Sequence, residues 1–214
     1  MKILIDNGHG SDAHTNGKYS PLVAGLPFQN DKTVFQGRFR EGNFNRLVAA
    51  ELVTQLRDLG YDAERIVTED KDVPLMERVD RVNHWCEKLG KSNVLFVSVH
   101  ANAANDGNIW MQARGFSVWV AKQAGTASRK LAQSFTTAAF AAELMGNRCV
   151  PAEHYWRADF FVLKHTLCPA VLTENLFYDN RDDLKFIASP AGREKIVQLH
   201  VKAITNYLNN ETQR

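Results

Sequence analysis

The sequence has few cysteines, and they lie far apart. Its 214 residues include only Cys86, Cys149 and Cys168, with no CxxC pair. This spacing speaks against both a disulfide framework and a cysteine-based zinc site, and we expect buried, apolar thiols. A chain of this length buries about 70% of its unfolded surface without such links. A bound metal would therefore serve chemistry rather than hold the fold together.

The sequence also lacks an excess of one charge and any long hydrophobic run. The 26 Lys and Arg residues are interleaved with 24 Asp and Glu residues, whereas nucleic-acid-binding proteins usually carry a clustered basic face. The apolar run Ile3–Ile5 stops at Asp6, well short of the roughly 7–15 residues of a secretory signal core. No stretch approaches the ~20 apolar residues of a membrane span. We therefore expect no nucleic-acid partner, no integral membrane segment, and either a cytosolic chain, export without a cleaved signal, or a chain whose signal has been removed.

The composition is that of an ordinary globular protein. Hydrophobic residues make up 44% and charged residues 23% of the chain, which is typical of folded domains. No linker, internal repeat or low-complexity tract interrupts the sequence. We predict one catalytic domain over residues 1–210, followed by a frayed tail at 211–214.

Strand-like and helix-like segments alternate along the chain. Strands are predicted at 2–6, 61–67, 94–99, 116–120, 159–164 and 169–173, and helices at 41–60, 74–90, 126–145 and 190–208. The continuous apolar run VLFVSV at 94–99 is typical of a strand buried on both faces. The alternation predicts an α/β domain with a mostly parallel sheet.

Four polar side chains stand where such a fold collects functional groups, at the carboxyl ends of strands. His9 follows the first strand, His100 directly follows VLFVSV, Glu174 directly follows PAVLT, and Glu41 begins the first long helix. We expect them to converge on one rim of the sheet.

Each of these residues also has a simpler interpretation. A single histidine at a strand end is often just a hydrogen-bonded rim residue, Glu41 suits the first turn of a helix, and Glu174 could pair with an arginine such as Arg157. The remaining histidines lack a comparable placement and are assigned no site role. They are His14, His84, His154, His165 and His200.

Taken together, the residues have the composition of a hydrolytic zinc site. Two imidazoles and one carboxylate leave a fourth position open for water, and a second carboxylate that does not bind the metal can act as general base and acid. The sequence contains no HExxH, GxSxG, GxxxxGK[ST] or GxGxxG motif, so the corresponding metalloprotease, hydrolase and nucleotide sites are unsupported.

At these positions the sequence resembles the zinc-dependent N-acetylmuramoyl-L-alanine amidases of the Amidase_3 type. The resemblance covers about residues 3–180 and rests on five stretches in the family's order. They are Ile5–Gly10, Glu41–Asn45, Ser98–Ala103, Ala113–Trp119, and Phe161–Leu163 through Pro169–Asn175.

The resemblance implies that His9, Glu41 and His100 ligate one Zn²⁺ and that Glu174 is the catalytic carboxylate. It implies hydrolysis of the amide between the lactyl group of N-acetylmuramic acid and L-alanine of the peptidoglycan stem peptide. The implied fold is a six-stranded mixed sheet flanked by helices. We further expect substrate contacts from Asn102, Arg157 and Asn175.

The sequence departs from the family pattern in two places. Leu176 stands where the family often has glycine, two residues after the catalytic glutamate, and Asp6-Asn7 replaces the usual Asp-Pro or Asp-Ala. These changes leave the ligands intact but bear on the surfaces that face substrate. No inhibitory helix or wall-binding repeat is visible.

Two further expectations concern the substrate groove and the way in which the enzyme reaches the cell wall. The Gly- and Pro-punctuated region 11–40 joins two proposed ligands, so we expect it to form a groove wall with Tyr19, Phe28 and Gln29, or else a solvated loop. An enzyme of this kind without a signal resembles either a phage lysin that is released by a holin, or a prophage enzyme. The alternative is a secreted enzyme whose signal has been removed. Oligomeric state and target bacterium stay open.

Two other functions remain open at this point. One is a catalytically silent peptidoglycan-binding module that kept the fold, although such a module has no need of Glu174. The other is a zinc peptidase that cuts a different bond of the stem peptide, which the ligand types alone do not separate from an amidase.

Overall fold

The centre of the protein is a six-stranded sheet in the order β4-β1-β5-β8-β6-β7, accompanied by a separate two-stranded ribbon, β2-β3. The computed structural model describes residues 1–11, 17–23, 34–35 and 37–212. The strands are β1 (Lys2–Asn7), β2 (Val34–Phe35), β3 (Arg38–Phe39), β4 (Asp62–Arg65), β5 (Val94–Asn102), β6 (Ser117–Val120), β7 (Trp156–Arg157) and β8 (Ala170–Phe177).

Four neighbouring strands of the central sheet are parallel to one another. β4, β1, β5 and β8 are parallel to one another, whereas β6 runs antiparallel to β8 and β7 runs parallel to β6. The central strands β1 and β5 are continuous apolar runs buried on both faces, as parallel strands covered by helices require. The prediction of a single α/β domain with a mixed, mostly parallel sheet is confirmed.

Helices cover both faces of the sheet. They are α1 (Glu41–Asp58), α2 (Leu75–Leu89), α3 (Thr126–Ala141), α4 (Phe161–His165), α5 (Arg181–Ile187) and α6 (Pro190–Thr212). Residues from α1, α3, α5 and α6 pack into one large core, and residues from α2 and α4 pack into a second core on the other face. In the described residues, no helix is long and apolar enough to cross a membrane.

Several predicted elements differ from the structure. β5 continues to Asn102 rather than 99 and β8 to Phe177 rather than 173, so His100 and Glu174 lie within their strands and not directly after them. Residues 159–164 were predicted to be extended, which is wrong, because one helical turn at Phe161–His165 buries Val162 and Leu163 together beside α2. α3 ends at Ala141 rather than 145, since Glu143 takes a left-handed φ of 59° and Leu144 then accepts a hydrogen bond from Phe116 N–H. The last helix continues to Thr212, so the first part of the predicted frayed tail is helical.

The cysteines are arranged differently from the expectation of three separate buried thiols. Cys86 and Cys168 are buried on the α2 face, where their side chains contact each other, and burial raises the pKa of the Cys168 thiol. Cys149 is exposed, because it follows the surface turn at Gly146 and Asn147. The expectation was therefore wrong for Cys149.

Candidate active site

The turn that carries His9 is held in a strained conformation by its neighbours. His9 has a φ of 65°, a conformation that non-glycine residues adopt at some cost. Its carbonyl oxygen accepts a hydrogen bond of 2.9 Å from Arg46 Nη1. Before it, Gly8 allows the close approach of His100, because a Cβ at residue 8 would overlap the imidazole ring. The two histidine rings therefore meet edge to face, with centroids 5.0 Å apart.

Below this turn lies a buried ion pair. The side chain of Arg78, on α2, is 1% exposed and pairs with Asp6 at the end of β1. The same guanidinium donates to the carbonyl oxygens of Asn7 and Val73, and the second carboxylate oxygen of Asp6 accepts a 2.6 Å hydrogen bond from Ser98 Oγ. This network fixes the end of β1 to α2 and to β5.

Glu41 is the first residue of α1 and points into the space between the two histidines. Its Oε1 lies 3.0 Å from His100 Nδ1 and 3.4 Å from His9 Nε2, and it also accepts a hydrogen bond from Ala101 N–H. The next residue, Gly42, packs so tightly against the turn that a Cβ there would overlap the carbonyl oxygen of Gly10. The start of α1 is thereby fixed against the His9 turn.

The donor set and its spacing fit a zinc ion. His9, Glu41 and His100 each offer one ligand atom, and these atoms lie within 4.8 Å of one another. Tetrahedral ligands at 2.0–2.1 Å from zinc are about 3.3 Å apart, close to the two Glu41–histidine distances. No other group of three potential ligands comes together in the part of the chain that the structure describes.

The protonation states of two of these residues also suit a metal ligand. Burial would raise the pKa of Glu41, but the attraction of His9 and hydrogen bonds from both histidines outweigh it, so the pKa is lowered. Burial lowers the pKa of His100, although Glu41 acts in the opposite direction. An ionised carboxylate and a neutral imidazole are the forms that bind metal.

Glu174 lies beside this cluster on the neighbouring strand. In the sheet register it pairs with His100 of β5 on one side and Ser117 of β6 on the other, and directly paired residues project from the same face. After Glu174 the β5–β8 register shifts, with three residues on β8 opposing two on β5. Such bulges redirect side chains and are frequent next to active sites.

The bulge explains one departure from the family pattern. Leu176 has a φ of 68°, a left-handed conformation that glycine adopts without strain. Its side chain is buried in the large core, which offsets that cost. The glycine of the family pattern and the leucine of this chain therefore serve the same backbone turn.

The carboxylate of Glu174 has an environment opposite to that of Glu41. Its Oε2 is buried, and no described residue hydrogen-bonds to it. Burial and the nearby Glu41 charge raise its pKa well above the ordinary value, and Lys18 and Arg148 oppose the shift. A carboxyl group with a raised pKa holds a proton more strongly than an ordinary carboxyl group, which suits a residue that takes a proton from water and passes it on.

The residues expected to contact substrate are dispersed. Asn102 ends β5, partly exposed, and its carbonyl oxygen accepts a hydrogen bond from Tyr178 N–H. Asn175 is fully buried and donates to the carbonyl oxygen of His100. Arg157 bonds the carbonyl oxygen of Lys122. The substrate roles of Asn102, Arg157 and Asn175 stay predictions.

The pairing of Glu174 with Arg157, raised from the sequence, is not formed among the described residues. Arg157 pairs in register with Val120, at the far end of β6 from Ser117. The arginine that acts electrostatically on Glu174 is Arg148. Sequence reasoning missed Arg148 because it lies in the irregular segment after α3, where no periodicity or motif marks a residue.

The region predicted to form the groove wall is only partly described. Tyr19 lies beneath the guanidinium groups of Arg38 and Arg40, at 4.6 and 4.9 Å from the ring centroid. Phe28 and Gln29 lie outside the described residues, as does His14. The groove prediction therefore stays a prediction.

The remaining described histidines lie apart from the cluster. His84, His154 and His165 are exposed. His200 is fully buried, where its ring contacts Thr173 Oγ1.

Comparison with known proteins gives a consistent result. The profile of the Amidase_3 family, described as N-acetylmuramoyl-L-alanine amidase, matches residues 3–206. The chain is 28% identical over 151 residues to the endolysin of Bacillus phage SPP1, which is 70% of this chain and 51% of the endolysin. It is 25% identical over 218 aligned positions to the N-acetylmuramoyl-L-alanine amidase CwlM of Bacillus licheniformis, covering 98% of this chain and 69% of that protein.

A solved structure has the same fold. The N-acetylmuramyl-L-alanine amidase Ami1 from Mycobacterium smegmatis superposes with a TM-score of 0.76 at 22% identity, covering 98% of this chain and 97% of Ami1. At this level of identity the likeness establishes the fold. The chain spans about half the length of the phage endolysin that it matches.

Proposed function

Because the chain belongs to the Amidase_3 family of N-acetylmuramoyl-L-alanine amidases, we propose that it is a zinc-dependent hydrolase of the bacterial cell wall. The bond cleaved is the amide between the lactyl group of N-acetylmuramic acid and L-alanine of the stem peptide. One observation carries the proposal: the cluster of His9, Glu41 and His100 has a second carboxylate, that of the half-buried Glu174, beside it on the same face of the sheet.

In this proposal His9, Glu41 and His100 hold the zinc, which when bound activates water and polarises the scissile carbonyl. Glu41 is kept ionised by the histidines beside it, and Ala101 N–H fixes its Oε1. His100 is fixed in turn by Asn175, which donates to its carbonyl oxygen at 2.8 Å. These contacts hold the ligands in place before substrate arrives.

Glu174 moves the proton. Its unpaired Oε2 accepts a proton from the attacking water, because the buried carboxyl group has a raised affinity for protons. It then passes that proton to the departing nitrogen of L-alanine. Proton transfer by a positioned side chain of this kind contributes roughly 10²–10⁴-fold to the rate.

The first experiment identifies the bond that the protein cleaves. Purified sacculi are incubated with the protein, and the released fragments are analysed by mass spectrometry. The proposal expects free N-terminal L-alanine on the peptides and intact lactyl groups on the glycan. It also expects cleavage to stop after chelation and to return with added Zn²⁺.

Other outcomes would identify the competing functions. New termini elsewhere in the stem peptide would make the protein a peptidase. Binding to sacculi without release of fragments, at full zinc loading, would make it a binding module. A module of that kind gives no reason for a buried, unpaired carboxylate next to the ligand cluster, which is why we favour the enzyme.

A further inference from the structure

Arg148 is surrounded by aromatic rings near the edge of the sheet. Its guanidinium lies 4.9 Å from the ring centroid of Trp156, 5.6 Å from that of Phe177 and 5.9 Å from that of Trp119. Nη1 donates a 3.1 Å hydrogen bond to Ser117 Oγ. Rings on several sides and one hydrogen bond hold this long side chain in one position.

The sheet register brings this guanidinium to the same face as Glu174. Ser117 is the direct cross-strand partner of Glu174, and side chains of such a pair project together, with Cβ atoms about 5 Å apart. The group bonded to Ser117 Oγ is therefore a close neighbour of the Glu174 carboxylate. Mutual attraction between Arg148 and Glu174 agrees with this placement.

Most N–H donors of the Arg148 guanidinium are not used in hydrogen bonds to described residues. It is partly exposed, and within the described ranges its only hydrogen bond is the one to Ser117, with no ion pair to any carboxylate. A guanidinium has five N–H donors arranged to bind a carboxylate through two parallel hydrogen bonds. Since one of these donors is used by Ser117 and no described carboxylate forms an ion pair with Arg148, the others can bind the carboxylate of a ligand.

We propose that Arg148 forms a subsite for a carboxylate of the substrate, on the residue that follows L-alanine in the stem peptide. The inference rests on the proposed function. In the proposed function, Glu174 protonates the departing L-alanine nitrogen, so the peptide half of the substrate lies on the Glu174 side of the scissile bond. The next strand of the sheet on that side is β6, where Arg148 is hydrogen-bonded to Ser117. Arg148 thus makes the enzyme selective for stem peptides with a free acid rather than an amide at that position.

The test compares two N-acetylmuramoyl-L-alanyl-D-isoglutamyl probes, which differ only in a free carboxylate or a carboxamide on the second residue. The wild-type enzyme should favour the acid by about tenfold or more in kcat/KM, as expected for a charge-assisted hydrogen bond. Arg148→Gln should bring this ratio close to one, mainly by raising KM for the acid. Arg148→Lys should retain part of the preference, since it keeps the charge but loses the paired donors.

Two further variants serve as comparisons. Arg129→Gln removes one positive charge from α3, where the guanidinium donates to the carbonyl oxygen of Ala124, and should leave the ratio unchanged. Arg157→Gln tests the arginine that the sequence suggested. Zinc content and circular dichroism confirm that each variant is folded.

Several results would overturn the subsite. They are a wild-type ratio near one, an equal loss on both probes in Arg148→Gln, and a ratio that collapses in Arg157→Gln instead. If sacculi are cleaved but the probes are not, the same ratio is measured from inhibition of sacculus cleavage, and absence of inhibition also counts against it. A wild-type protein that cleaves neither probes nor sacculi refutes the proposed function itself, which separates the two failures.

Discussion

The two sides of the site differ in how their functional groups are held. On the ligand side, formed by His9, Glu41 and His100, side chains from α1 and α2 donate to the carbonyl oxygens of Asn7, Gly8 and His9. On the opposite side, formed by Glu174 and Arg148, the described contacts leave the Glu174 Oε2 without a partner and give the Arg148 guanidinium one hydrogen bond. Side-chain hydrogen bonds thus fix the backbone of the ligand side, although buried side-chain atoms of Asn7 and Asn45 also lack a described partner. On the Glu174 side, the atom without a described partner belongs to the carboxylate that we propose transfers the proton.

The two glutamates of the site have pKa shifts in opposite directions. Neighbouring histidines lower the pKa of Glu41 despite its burial, whereas burial and the Glu41 charge raise that of Glu174. Pairs of titratable groups whose pKa values are pushed apart are typical of a division between a charge-stabilising and a proton-transferring role. The opposite pKa shifts support our proposal that Glu41 binds the metal and Glu174 transfers the proton.

The largest expected effect comes from removing a ligand. His100→Ala should lose the zinc that the wild-type protein retains at about one per chain, and sacculus cleavage should fall to background, because two remaining ligands hold zinc poorly. Elemental analysis of protein purified without added metal measures this directly. Full zinc content in the variant would remove His100 from the ligand set.

On the other side of the site, we expect a substitution to lower the rate without loss of the metal. Glu174→Gln keeps the shape of the side chain but cannot accept a proton, so the rate on sacculi should fall about 10²–10⁴-fold while zinc content is unchanged. An active variant would move the proton-transfer role elsewhere, with Glu153 and Glu143 the next residues to test. Loss of zinc would instead make Glu174 a ligand.

The ligand side could be predicted from sequence because its histidines closely follow apolar runs. The runs Ile3–Ile5 and Val94–Val99 form the buried parts of β1 and β5, and this pattern locates His9 and His100, although β5 itself continues to Asn102. Glu41 is located in the same way by the start of a helix. The order of the strands and the convergence of these residues then follow from the parallel α/β arrangement.

The Glu174 side was less predictable because its parts depend on tertiary contacts. β7 has two residues, Trp156 and Arg157, too few to give a periodic signal. Arg148 comes from an irregular segment, and its position is set by contacts with Ser117 and aromatic rings that come from other strands. α5 was also missed, although Asn180 caps it and acidic residues follow, a signal that the sequence did contain.

Two arginine substitutions test whether the ligand side contributes more to the stability of the fold than the Glu174 side. Arg78→Met leaves the buried carboxylate of Asp6 without its ionic partner, which should lower the free energy of unfolding by about 3–5 kcal/mol. Arg148→Met removes no ion pair, retains apolar contact with the rings, and should cost at most about 1 kcal/mol. Urea denaturation of both variants measures the difference. Equal losses would mean that the Glu174 side is as integral to the fold as the ligand side.

A buried histidine on the other face of the sheet distinguishes pH effects in the core from those in the site. His200 of α6 is fully buried on the face of β8 opposite to Glu174, with its ring nitrogens bonded to Thr173 Oγ1 and to the carbonyl oxygen of Ile196. Its ring packs edge to face on Phe135, with centroids 5.1 Å apart. Burial lowers the pKa of His200 to about 4, although the hydrogen bond to Ile196 acts in the opposite direction.

The smallest expected effect is the pH dependence of stability that this histidine confers. Between the folded pKa of about 4 and the ordinary value of 6.5, the unfolded chain binds a proton at His200 that the folded protein excludes. The stabilisation is therefore fully present above pH 6.5 and declines as the pH falls towards 4, by roughly 2 kcal/mol between pH 7 and pH 5. His200→Gln should flatten the pH profile of the free energy of unfolding by this amount, whatever its stability at pH 7. His84→Gln removes an exposed imidazole from α2 and should leave the profile as it is. If the His200 variant keeps the wild-type slope, the pH dependence originates in the site and not in the scaffold beneath it.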